Sequence, residues 1–160
     1  MLLVHWSQHN LTNKIVKNGI RLSRKAIKPD IAIKGVWCFP YTQSKTLNAN
    51  WKSFLKKDRN SVNYNGFVFR LHSNDFPIYA GDFTAIITNP SDRLFATYES
   101  FINKYGYYFN PKVLAMEITS EDNCFPDYGD FEIILTKPIP PERIVKILKD
   151  REPVACRHSG

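Results

Sequence analysis

Apolar and polar positions change over in short blocks along the chain, and each block points to one element. Leu2 to Trp6 reads as a strand, apolar except at His5. Asn10 then stands where a cap is expected for a helix over Leu11–Asn18. Leu11 and Ile15 lie one turn apart there, and Gly19 provides the stop. Ile20-Arg21-Leu22 alternates briefly before a loop rich in cations that ends at Pro29-Asp30. Ile33–Tyr41 reads as a second extended segment, with Pro40 marking an edge or an exit into a loop. Over Asn50–Lys57, Trp51, Phe54 and Leu55 fall on one face of a short helix and lysines on the other.

After a turn-rich connection from Arg59 to Gly66, Phe67–Leu71 has the composition of a strand. Asp75–Phe83 reads as an irregular lining segment around Pro77 and Gly81, followed by a short strand at Thr84–Thr88. Asn89-Pro90-Ser91-Asp92 opens the clearest helix. Leu94, Tyr98, Phe101, Ile102 and Tyr105 recur at helical spacing as far as Gly106. Val113–Thr119 alternates as a strand, Ser120–Asp130 is an acidic loop, and Phe131–Thr136 is a late strand. Pro141 suits the first turn of a final helix with Ile144, Ile147 and Leu148 on its buried face. Strands interspersed with short helices, without strict alternation, predict an α+β fold rather than a doubly wound one.

Length changes the picture only by limiting it. The 160 residues suit one domain, placed at 1–150, with 151–160 as a patternless tail. Hydrophobic residues at 43% and aromatic residues at 14% exclude a disordered chain. The net charge of +7 is uneven: Lys14, Lys17, Arg21, Arg24, Lys25, Lys28 and Lys34 face only Asp30. A second basic group is Lys52, Lys56, Lys57 and Arg59. Nucleic acid, nucleotide phosphates or plain solvent would all suit such surfaces. Cys38, Cys124 and Cys156 are too few and too scattered for a disulfide framework. No apolar run is long enough to span a membrane and the start is too short for a signal peptide, so a cytoplasmic protein without a membrane partner is expected.

Familiar motifs are absent: no phosphate loop, no paired CxxC, no His-Glu-x-x-His and no Gly-x-Ser-x-Gly. His5 and His9 are separated by a change of element, so no metal site is expected. His5 and Ser7 share one side of a strand and would hold a sugar hydroxyl or an amide; alternatively His5 satisfies a backbone group. Glu132 is a carboxylate in the most apolar short run of the C-terminal half. It would stabilise positive charge in a cleft, or else face water from an edge strand. Arg70, on an apolar strand, would form a salt bridge or contact a diphosphate.

Two stretches together resemble a known family. Leu3-Val4-His5-Trp6-Ser7, with Asn10-Leu11, Ile15 and Gly19-Ile20, is similar to the opening of ADP-ribosyltransferase-fold proteins. The similarity is greatest to the DarT-like DNA ADP-ribosyltransferase toxins and weaker to RNA 2′-phosphotransferases. Phe131-Glu132-Ile133-Ile134-Leu135 with Pro138-Ile139-Pro140-Pro141-Glu142-Arg143-Ile144 resembles the catalytic-glutamate strand and the turn of the toxin branch. The two stretches cover about a third of the chain, and the middle is not matched motif by motif.

The resemblance implies a split, strongly twisted, mainly antiparallel sheet with short flanking helices. It also implies a glycosyltransferase chemistry that uses NAD as co-substrate and needs no metal. Glu132 and His5 would be catalytic, with both facing one cleft. His5 and Ser7 would bind the nicotinamide-side ribose, and Tyr41 or Tyr79 would stack near nicotinamide. Arg21, Arg24 or Arg70 would meet the diphosphate or the acceptor. The acceptor would be a nucleic acid in preference to a protein, and a toxin-like role would imply an inhibitory protein partner. NAD-dependent removal of an RNA 2′-phosphate and a non-catalytic basic binding module are the competing expectations.

Overall fold

A computed structural model describes residues 1–24, 34–41, 64–82, 94–105 and 131–149, and the structural statements that follow concern these. The strands are β1 (Leu2–Gln8), β2 (Val36–Pro40), β3 (Tyr64–Arg70), β4 (Ile78–Asp82), β5 (Leu94–Phe95), β6 (Phe131–Leu135) and β7 (Ile144–Leu148). Two α-helices, α1 (Thr12–Asn18) and α2 (Tyr98–Tyr105), and single 3-10 turns at His9–Leu11, Ser73–Asp75 and Pro141–Arg143 complete the set. The sheet runs β5-β4-β6-β2-β1-β3-β7, and every neighbouring pair is antiparallel. The class is α+β.

Strand β2 joins two blocks of this sheet. Its first part, Val36–Cys38, pairs with Leu135–Ile133 of β6, whereas Phe39 and Pro40 pair with Val4 and Leu3 of β1. Side chains alternate between faces, so the register sorts them. Leu3, Phe67, Phe69, Val36, Cys38, Ile78, Ala80, Ile133 and Leu135 share one face and form the main core. Ile15, Ile20, Phe101 and Ile139 pack onto that same core. The opposite face carries Val4, Phe39 and Val68 in one block and Tyr79 and Ile134, with Trp37, in the other. Each fully buried side chain of this size contributes roughly 1.5–3 kcal/mol.

Several elements differ from their sequence expectation. Helix α1 begins at Thr12 without a side-chain cap, because a 3-10 turn carries the chain out of β1 past Asn10. Its end is as expected: Gly19, at φ 75°, closes it, and a Cβ there would collide with the carbonyl of Ile139. Ile139 in turn exchanges backbone hydrogen bonds with Ile20. The helical spacing from Leu94 onward is only partly used. Leu94 and Phe95 pair with Tyr79 and Ile78, and α2 starts after Thr97, whose hydroxyl accepts the Ser100 N–H. Phe95, Phe101, Phe76 and Tyr98 then meet edge to face.

Ile78–Asp82 is a regular strand, not an irregular segment, since β6 offers it five consecutive partners. The expected final helix is replaced by the turn Pro141–Arg143 and strand β7. Ile144, Val145 and Ile147 are β-branched and suit a strand once β3 presents an open edge. Ile144 and Ile147 face the core, and the register shifts around Val145.

A buried ion pair ties two of the turns together. Asp75, 2% exposed, receives Arg143 in a two-point contact at 2.6 and 2.8 Å, while Arg143 also donates to the carbonyl of Arg70. The expected helix at Asn50–Lys57, the strands at Thr84–Thr88 and Val113–Thr119, the cap at Asn89–Asp92, the acidic loop and the tail lie outside the described residues.

Candidate functional site

Glu132 lies in β6 directly opposite Gly81 of β4, a residue that brings no side chain of its own. It is 4% exposed, so the reading of a carboxylate facing water from an edge strand does not hold. By register it points to the face of Ile134, Tyr79 and Trp37, away from the main core. Its charge is felt next door. Burial pushes the Cys38 thiol well above its ordinary range, the Glu132 and Asp75 carboxylates add to that, and Arg143 opposes it.

His5 takes an unexpected place. If the β1–β2 ladder continued beyond Val4 and Phe39, Trp6 would come opposite Trp37. Instead, His5 Nδ1 lies 2.8 Å from the carbonyl oxygen of Trp37. A carbonyl only accepts, so Nδ1 carries the proton, and in the neutral ring Nε2 is left as an acceptor. The backbone-satisfying role of His5 is therefore the one realised in this geometry.

The expectation that His5 and Glu132 face one cleft is corrected by the register. His5 is level with Phe67, on the main-core side, and Ser7 is level with Asn65. The rung that would meet His5 on β2 is Cys38, whose partner on β6 is Ile133, not Glu132. The two residues are one position out of phase, which in a pleated strand means opposite faces.

The other expected residues divide between the two blocks. Tyr79, nearly buried, packs with Ile134 and Trp37 on the face of Glu132. Tyr41 packs with the Val4, Phe39 and Val68 cluster, and its hydroxyl accepts from Lys146 Nζ at 3.3 Å. Ser7 is half-buried, while Arg21 and Arg24 are exposed. Arg70 is also exposed, level with Leu2 at the end of β1 remote from Ser7.

Three further residues carry no mark of their role in the sequence. Asn65, placed in a turn by its neighbours, is in β3 opposite Ser7 and donates to Thr12 Oγ1 at 2.8 Å. Trp6 Nε1 and the Tyr64 hydroxyl are buried without a hydrogen-bond partner in the protein, and both side chains share the face of Glu132 by register. No sequence signal marks that, because it follows from what packs around them.

Among the described residues, no three His, Cys, Asp or Glu side chains gather as a metal site, and no helix is long and apolar enough to cross a membrane. Comparison with family models, with curated proteins and with solved structures finds no match.

Proposed function

We propose that this chain transfers ADP-ribose from NAD to a macromolecular acceptor, nucleic acid in preference to protein, with Glu132 as the catalytic carboxylate. The observation that carries this reading is a nearly buried glutamate on a face that also bears Tyr79 and Trp37. Such a face would form an apolar and aromatic bed for a nicotinamide ring beside one carboxylate once what covers Glu132, Tyr79 and Ile134 moves aside. In the reaction the bond from ribose C1′ to the pyridinium nitrogen breaks, and its electron pair neutralises the ring. The sugar carbon becomes oxocarbenium-like, an acceptor nitrogen or oxygen attacks it, and that atom then loses its proton. Glu132 stabilises the positive charge on the sugar during this exchange. His5 acts at one remove: it holds the carbonyl of Trp37, and with it the strand that carries the Trp37 ring.

The resemblance at the two ends of the chain supports the same reading through the Glu132 strand alone, since the cleft it implies for His5 and Glu132 together is not formed. The separation of His5 from Glu132 favours a second reading, a non-catalytic module that binds nucleic acid through its basic surface. One experiment divides them. Purified chain is mixed with labelled NAD and, separately, DNA, RNA and protein, with Glu132→Gln as the control. The transferase reading requires nicotinamide release and labelled acceptor that depend on Glu132. Salt-sensitive nucleic-acid binding with neither product establishes the module.

A further inference from the structure

A second surface, on the far edge of the sheet, is built for a different partner. Between α1 and β7 lies a groove of about 400 Å³ lined by Val16, Pro141, Ile144, Val145, Lys146 and Ile147. Its rim is apolar and open: Val16 is 50% and Val145 64% exposed. Isolated exposed aliphatics are common, but two facing each other across a groove form a patch.

The elements on either side of this groove carry more cations than acids. Helix α1 carries Lys14 and Lys17, strand β7 carries Lys146, and Lys149 follows it; neither element contains an acid. All four lysines are exposed. Glu142 lies in the turn that leads into β7, and Asp150 follows Lys149 in the sequence. Lys146 is held by Tyr41, so one cation stands in a fixed position beside the groove.

We infer that this groove docks an acidic amphipathic segment of a protein partner, with its apolar side chains between Val16 and Val145 and its carboxylates against the lysines. Charge complementarity selects an acidic occupant, and the aliphatic floor selects a polypeptide over nucleic acid. Single strands are held by aromatic platforms, which Val16, Pro141, Ile144, Val145 and Ile147 do not provide. Strand β7 is the edge of the sheet, yet its register shifts at Val145. That irregularity discourages addition of another strand, so the segment lies side-on as a helix with apolar residues at i, i+3 or i+4. The proposal does not depend on the transfer chemistry: of the groove residues only Lys146, level with Val68, is on the sheet face of Glu132, and it lies at the far edge of the sheet from β6.

The test is selection from a phage-displayed library of random peptides of about 16 residues, or roughly four helical turns. Selection on the wild-type chain is compared with selection on a Val16→Ser/Val145→Ser chain, with thermal melting used to show that both are folded. If the double variant melts early, Val145→Ala alone replaces it. The expected result is enrichment on wild type of net-acidic peptides with helically spaced apolar residues. Their affinity should fall about tenfold with the double variant. It should fall again with Lys17→Gln and with rising salt. Equal enrichment on both chains, enrichment of neutral or basic peptides, or no enrichment overturns the proposal. So does an oligonucleotide whose binding, rather than a peptide's, depends on Val145.

Discussion

His5 and Trp37 meet through a side chain at the place where β1 and β2 would otherwise meet through their backbones: Nδ1 stands 2.8 Å from the carbonyl oxygen. Removing the ring leaves a half-buried carbonyl to find another donor. His5→Ala should therefore cost about 1–3 kcal/mol in urea unfolding. Under the transferase reading the same change lowers nicotinamide release by loosening the strand that carries Trp37. His5→Gln, which retains an N–H donor, should recover part of both losses. Activity lost without any change in stability would instead place His5 in contact with the substrate.

Glu132 separates function from folding. The amide of glutamine keeps the shape of this nearly buried carboxylate without its charge. Glu132→Gln should reduce nicotinamide release by about 10²-fold or more in a chain that thermal melting shows to be folded. A matching loss of stability and activity would make Glu132 a structural residue.

Asp75 and Arg143 satisfy each other out of water. Asp75→Ala leaves a guanidinium half in the interior and should destabilise the chain by about 3–5 kcal/mol. Replacing both with apolar residues, as in Asp75→Leu/Arg143→Met, should cost less than either single change, because no charge is then left unpaired. Denaturant midpoints for the three variants form the cycle that measures this coupling.

The Cys38 thiol provides the pH signature. Its pKa is raised in the folded chain by burial first and by Glu132 second. The folded state therefore keeps a proton that the unfolded state gives up at around pH 8.5. The contribution to stability is fully present below that pH. It is lost as pH rises above it, at up to about 1.4 kcal/mol per pH unit. Cys38→Ala should flatten the alkaline side of the stability profile. In a Cys124→Ser/Cys156→Ser background, the native thiol should react with a maleimide only as fast as the chain opens. Fast labelling of folded protein would contradict the burial of Cys38.

Elements whose signal is local follow from the residues alone. Leu2–Trp6 is a strand, Ile15 and Gly19 define the body and end of a short helix, and Phe67 and Phe131 lie in strands, because alternation, helical spacing and a left-handed stop act over a few residues. The sequence also marks Glu132, since a carboxylate among Phe131, Ile133 and Ile134 is anomalous wherever the strand lies.

Tertiary structure decided the rest, for reasons no short window contains. Ile144–Leu148 has the spacing of a helix as well as the β-branched content of a strand, and the free edge of β3 settled the choice. Leu94 and Phe95 left their helical pattern because β4 paired with them. Which way His5 and Glu132 point depends on two registers in series, β1 on β2 and β2 on β6, and a single position in either reverses the face. The chain encodes a histidine and a carboxylate in suitable strands; only the pairing of those strands through β2 sets them on opposite sides of the sheet.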